Sequence, residues 1–259
     1  MKVLNFGSLN IDYTYQVDHF VRAGETMSSE SLQVFSGGKG LNQSIALSKA
    51  GADVWHAGAV GAGDGDFLIE QMKKAGVHTE LIEHLDGQTG HAIIQKDPAG
   101  QNCILLYGGA NQRITREMVD RVLTQFEADD FLILQNEISE IGYIMEKAHE
   151  KGMKIVLNPS PMNAKILSYP LEYVDYFLLN EVEASDICGI EATKDPQALM
   201  NGLVKRFPEA KIVLTLGGDG SVYRDGDTVL RQGIYKVPVR TRRRCRRKSV
   251  FWKAGKCWR

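Results

Sequence analysis

Phe131-Leu132-Ile133-Leu134-Gln135, a helical run over residues 139–151, and then Lys154-Ile155-Val156-Leu157-Asn158 form the stretch that decides the fold class. Each five-residue run is rich in Ile, Leu and Val without polar alternation, the composition of a strand covered on both faces. The run between them opens at Ser139, suited to an N-cap, and stops at Gly152. Strand, helix and strand in this order predict an α/β fold with a mostly parallel central sheet and helices on both faces. Ligands then belong at the carboxyl ends of the strands.

Outward from this stretch, residues 2–9, 53–57, 176–180 and 211–216 read as further buried strands. Residues 64–75, ending at Gly76, and residues 115–126, opened by an N-cap threonine, read as helices, with Asp64 as the N-cap of the first. Residues 12–34 and 91–107 lack helical period. The second of these reads as a hairpin, 91–96 and 102–107 around Asp97-Pro98-Ala99-Gly100. Such strands added to a parallel sheet predict a small β-sheet lid over the site, or an ordinary edge hairpin.

The 259 residues suffice for one α/β domain, and their formal net charge is only −1. That near balance hides a seam at Arg240. Residues 240–259 hold ten Lys or Arg and no acid, leaving 21 basic against 32 acidic residues, a net of −11, over residues 1–239. An acidic body argues against a nucleic-acid surface, and no apolar run approaches the ~20 residues of a membrane span. Four cysteines without zinc-like spacing suit a reducing compartment. The expectation is a soluble cytoplasmic protein with small-molecule ligands and no nucleic-acid or membrane partner.

Gly37-Gly38-Lys39-Gly40-Leu41-Asn42 precedes a helix over 41–50. Its glycines let the backbone approach a ligand, while Lys39 and Asn42 offer partners for hydroxyl groups. Alone, a glycine turn before a helix is more often structural, and this one is not a Walker loop. With Gly51 and Gly61 behind it, however, the run resembles the N-terminal signature of the PfkB carbohydrate kinases, the ribokinase-like family. The resemblance runs from Lys2 to about Val239.

It implies a three-layer ribokinase-like fold over residues 1–239, with a lid from about 12–34 and 91–107 through which two copies pair as a homodimer. It also implies ATP-dependent phosphorylation of a sugar, D-ribose to D-ribose 5-phosphate, with Mg²⁺ and K⁺. Gly7-Ser8-Leu9-Asn10-Ile11-Asp12 resembles the family's first-strand motif, so the resemblance assigns Asn10, Asp12, Gly38, Lys39, Gly40, Asn42 and Glu137 to the sugar. Read as isolated residues, Asp12 is an ordinary strand-end carboxylate and Glu137 a solvated loop acid. Asn180-Glu181-Val182-Glu183 is similar to the family's Asn-x-x-Glu segment, which gives Asn180 to nucleotide phosphate and Glu183 to magnesium through water. As a helix first-turn acid, Glu183 needs no such role. Thr215-Leu216-Gly217-Gly218-Asp219-Gly220 resembles the nucleotide loop, implicating Thr215, Gly217, Gly218 and Gly220.

The family's catalytic Asp-Thr-Thr-Gly-Ala-Gly-Asp should follow Val239. Here the chain reads Arg240-Thr241-Arg242-Arg243-Arg244-Cys245, and no carboxylate follows Asp227. Gly61-Ala62-Gly63-Asp64 spells part of that motif at the wrong place, closing the N-terminal signature. No catalytic aspartate is therefore identified, and an Asp-Thr pair for K⁺ is missing with it. Codons permitted for Cys245 to Trp252, read one nucleotide later, can encode Ala-Gly-Glu-Ser-Leu-Phe-Ser, so a shifted frame from near Val239 is the preferred account of the basic tail. An evolved basic terminus is the alternative. Expected activity is an impaired sugar kinase, with another PfkB sugar or nucleoside kinase, a non-catalytic sugar-binding protein or an inactive product as the other readings.

Overall fold

The computed structural model describes residues 1–190, 193 and 195–235. The basic tail and the catalytic motif expected after Val239 lie outside the described residues.

In chain order the elements begin with β1 (Val3–Phe6), β2 (Asn10–Gln16), β3 (Ser31–Gly37), α1 (Lys39–Lys49), β4 (Val54–Gly61), α2 (Asp66–Lys74), β5 (His78–Leu85), β6 (Gly90–Lys96) and β7 (Asn102–Tyr107). There follow α3 (Arg116–Leu123), β8 (Phe131–Gln135), α4 (Ile141–Glu150), β9 (Lys154–Asn158), β10 (Tyr176–Asn180), α5 (Glu181–Cys188), α6 (Pro196–Arg206), β11 (Lys211–Thr215), β12 (Ser221–Asp225) and β13 (Thr228–Gln232). The strands form a nine-stranded sheet, β13-β12-β11-β10-β9-β8-β1-β4-β5, and a four-stranded sheet, β3-β2-β6-β7.

The chain divides into two compact units. One comprises Asn5–Thr115 and Glu137–Ser139; the other comprises Met1–Leu4, Arg116–Asn136 and the described residues from Glu140 onward. In the second unit β8, β9, β10 and β11 run parallel, with Phe131 to Gln135 in register against Lys154 to Asn158. Leu132, Leu134, Ile155, Leu157, Phe177, Leu179, Ile212 and Leu214 are fully buried, as uninterrupted apolar strands require. Helix α4 buries Ile141, Ile144, Met145 and Ala148, the i, i+3, i+4, i+7 stripe of an amphipathic helix. Its chain reverses at Gly152, whose φ of 78° favours glycine.

The first unit holds the four-stranded sheet. Strand β2 pairs antiparallel with β3 and parallel with β6, and β6 turns antiparallel into β7 around residues 97–100. The sheet is thus mixed, and the expected hairpin is one edge of it. Strand alternation puts Asn10 and Asp12 on one face, and Val34, Tyr13, Ile93 and Leu105 in a row across the other. That row includes Leu105 at 69% exposure.

Two expected caps are corrected. The N-cap of α2 is Gly65, and Asp64 instead accepts from the Thr89 amide at 3.1 Å and from its hydroxyl. The N-cap of α4 is Glu140 in a left-handed conformation, while the Ser139 hydroxyl donates to the Ile114 carbonyl at 3.0 Å. A long-range acceptor or donor captured each side chain before the helix end did.

Candidate functional site

The residues assigned to the sugar all lie in the first unit. Helix α1 starts at Lys39 because the chain bends sharply at Gly38, where φ is 94° and a Cβ would press on the Ser8 carbonyl at 2.7 Å. Glu137 crosses to that helix start. Its Oε2 accepts from the Lys39 amide at 2.9 Å and from the Ser8 hydroxyl, and its Oε1 accepts from Lys39 Nζ at 2.6 Å. The Ser8 hydroxyl oxygen in turn accepts from the Gly40 amide at 3.2 Å. An acid at a helix N-terminus is favoured by the exposed amides, and with 7% of its side chain exposed Glu137 forms a largely buried pair with Lys39.

The Asp12 carboxylate makes no hydrogen bond among the described residues, and glycine at 37 leaves the space it occupies. Burial, then repulsion from Glu137, pushes its pKa up to about 6 against the opposing attraction of Lys39. Asp12, Lys39 and Glu137 are therefore one electrostatic cluster. Asn10 stands on the same face of β2 as Asp12 and is held by Asn111, whose Nδ2 donates to Asn10 Oδ1 at 2.8 Å. Asn42 lies in the first turn of α1, its side chain without a hydrogen bond among the described residues. Such a set of donors and acceptors beside an unsatisfied carboxylate suits a polyhydroxylated ligand.

Behind α1 lies a buried network that the sequence reading did not identify. Asn5 Nδ2 donates to the Gly40 carbonyl and the Ser44 hydroxyl, both at 2.8 Å. Because a carbonyl only accepts, His56 carries its proton on Nε2 toward Gly7 O at 3.2 Å, and its Nδ1 accepts from Ser44 Oγ at 2.7 Å. Burial depresses the His56 pKa to about 4, so the ring is neutral. The network ties β1 and β4 to the backbone around Ser8 and Gly40. Residues separated by 12 to 49 positions carry no local signal for this. Asn111 and Thr89 were missed likewise, although Gly108-Gly109-Ala110-Asn111 repeats the glycine-then-polar pattern of 37–42.

The residues assigned to the nucleotide all lie in the second unit. Asn180 and Thr215 are paired in register at the carboxyl ends of β10 and β11. Asn180 caps α5 through a capping box: it accepts from the Glu183 amide at 2.9 Å, and Glu183 accepts from the Asn180 amide at 3.0 Å. Thr215 Oγ1 donates to Leu179 O at 3.0 Å. Gly217 and Gly218 stand in an exposed single 3-10 turn, and Gly220, at φ 91°, packs so closely on Gln232 that no side chain fits there. A cavity of about 290 Å³ borders this turn, lined in part by Glu181, Leu216, Asp219, Ser221 and Arg231. Exposed backbone and a glycine-shaped turn fit a nucleotide. A larger cavity, about 690 Å³, lies at the amino ends of the strands beside Lys154 and Asp175 and contains none of the assigned residues.

The donor set fits magnesium only indirectly. One oxygen of Glu183 is engaged by its cap, and no group of three or more His, Cys, Asp or Glu among the described residues could hold a metal. The Asp-Thr pair expected for K⁺ falls outside the described residues. No helix among the described residues is long and apolar enough to cross a membrane.

The sequence profile described as "pfkB family carbohydrate kinase" matches residues 1–240. A protein named ribokinase from Staphylococcus aureus (strain COL) is 34% identical over 242 residues, 91% of this chain and 79% of that protein. A ribokinase from Haemophilus influenzae is 32% identical over 238 residues, 88% and 76% of the two chains. Among solved structures, ribokinase from Cryptococcus neoformans var. grubii serotype A in complex with ADP superposes with a TM-score of 0.77 at 30% identity, covering 92% of this chain and 80% of that one.

Proposed function

The chain belongs to the pfkB family of carbohydrate kinases, phosphotransferases that act on an alcohol group, and we propose that its reaction is transfer of the ATP γ-phosphoryl group to the primary hydroxyl of D-ribose, giving D-ribose 5-phosphate. The observation that carries the sugar reading is Asp12, a partly buried carboxylate without a hydrogen-bond partner among the described residues. Such a group costs free energy unless a ligand satisfies it. Asn10, Asn42, Lys39 and the backbone at Gly38 and Gly40 would supply the neighbouring contacts, with Glu137 holding Lys39 and the start of α1 in place.

ATP would lie on the turn formed by Gly217, Gly218 and Gly220, with Asn180 and Thr215 toward its phosphates; the ADP complex of the Cryptococcus neoformans relative supports a nucleotide here. Magnesium would neutralise phosphate charge, and Glu183 would orient its water ligands. Potassium is the second expected cation. A homodimer through the four-stranded sheet would cover the apolar row of Val34, Ile93 and Leu105. Two free thiols, Cys103 and Cys188, suit a cytoplasmic setting.

The chain as written should bind sugar better than it turns it over. Residues 240–246 replace the segment that would carry the base, a loss of about 10²–10⁴ in rate, and the glycine amides, worth about 10²–10³ each. That same replacement favours a non-catalytic sugar-binding protein as the second reading. Rebuilding Asp-Thr-Thr-Gly-Ala-Gly-Asp and the family's following helices after Val239 should give ATP-dependent ribose phosphorylation, with the 259-residue chain near background. A rebuilt chain that binds ribose without phosphorylating it would overturn the kinase assignment, and one that prefers fructose or adenosine would overturn the choice of sugar.

A further inference from the structure

We infer that Asn111 is a positioning residue that sets the hydrogen-bond polarity of Asn10, so that this chain presents a donor and an acceptor side by side to neighbouring hydroxyls of its sugar. The inference rests on the reading of Asn10 and Asp12 as sugar contacts. Asn111 is 1% exposed and lies outside that pair. Its Oδ1 accepts from the Leu9 amide at 3.0 Å, and its Nδ2 donates to the Leu9 carbonyl at 3.1 Å and to Asn10 Oδ1 at 2.8 Å.

A backbone amide only donates and a carbonyl only accepts, so the main chain of Leu9 fixes which end of the Asn111 amide is oxygen. Both Nδ2 hydrogens are then spent, one on Leu9 and one on Asn10. Asn10 must turn its oxygen toward Asn111, and its NH₂ is the end left for a ligand. Gly90 makes the arrangement feasible, because a side chain there would collide with both amides. Two residues along the same face stands Asp12, an acceptor alone when ionised. A hydroxyl oxygen accepting from Asn10 next to a hydroxyl hydrogen given to Asp12 matches a vicinal diol. Without Asn111 the Asn10 amide has two orientations, only one of which donates to the sugar.

A double-mutant cycle tests this, read as D-ribose dissociation constants by calorimetry on the 259-residue chain. Asn111→Ala should weaken ribose about tenfold, and in an Asn10→Ala background the same change should have less than twofold effect. Equal weakening in both backgrounds would mean a merely structural role and would overturn the inference while leaving the sugar site standing. An Asn10→Ala chain that binds ribose as tightly as the parent would overturn the assignment of Asn10 and the inference with it. Should Asn111→Ala not fold, amide NMR of the parent decides. Ribose should shift the side-chain NH₂ resonances of Asn10 and leave those of Asn111 in place, and an unshifted Asn10 NH₂ with ribose bound would overturn the inference.

Discussion

Replacing Asp12 with asparagine should stabilise the fold and abolish sugar binding together. The folded chain holds the Asp12 proton more tightly than the unfolded chain, with a pKa of about 6 against 3.8. Between those values the native state binds more protons. The stability this group contributes is therefore complete below about pH 4 and lost as pH rises through about 6. Two pKa units correspond to about 3 kcal/mol, which partial exposure to water reduces to about 2. Asp12→Asn removes the ionisation and, among the described residues, breaks no hydrogen bond of the carboxylate. At pH 8 the variant should melt about 4–8 °C above the parent, and at pH 4 the two should coincide. Circular dichroism melts at both pH values measure this, and a ribose titration at pH 8 should show affinity down at least tenfold, because a neutral amide replaces a charged acceptor. A variant less stable than the parent at pH 8 would refute the reasoning, since it would mean that the carboxylate is already satisfied by partners.

His56 titrates in the opposite sense: with its pKa depressed to about 4, the stability it contributes is present above about pH 6.5 and lost as pH falls through 4. In the Asp12→Asn background, denaturant melts should lose about 3 kcal/mol between pH 7 and 4 through this group, and His56→Gln should flatten that loss while lowering stability at pH 7. Lys39→Met leaves Glu137 largely buried without its cation, and melting at pH 7 should show a cost of about 3 kcal/mol, partly relieved in Lys39→Met/Glu137→Gln. Leu105→Glu puts a charge into the exposed row of the four-stranded sheet; sedimentation at micromolar concentration should show a dimer for the parent and a monomer for the variant with its circular dichroism unchanged.

Strands β8, β9 and β10 were legible to the residue, because a strand covered on both faces is an uninterrupted apolar run and its ends are where polarity returns. Strand β5, His78–Leu85, was not, since His78, Glu80, Glu83 and His84 interrupt it and only Thr79 and Ile82 are buried. Strand β13 is short and open to water throughout, and β12 buries only Ser221 and Val222 before turning polar, which removes the same signal. The cluster of Asp12, Lys39 and Glu137 was reached through family resemblance, and the structure brings these three together. Asn111 and His56 were invisible because their partners lie 102 and 49 positions away, where neither helical nor strand period reaches.

The most direct measurement is a calorimetric titration of the purified chain with D-ribose at pH 8, alongside Asp12→Ala. Saturable binding by the parent at one site per chain, lost in the variant, is the predicted result. Absence of ribose binding by a folded parent, or binding that Asp12→Ala leaves unchanged, would contradict the assignment of this cluster as a sugar site.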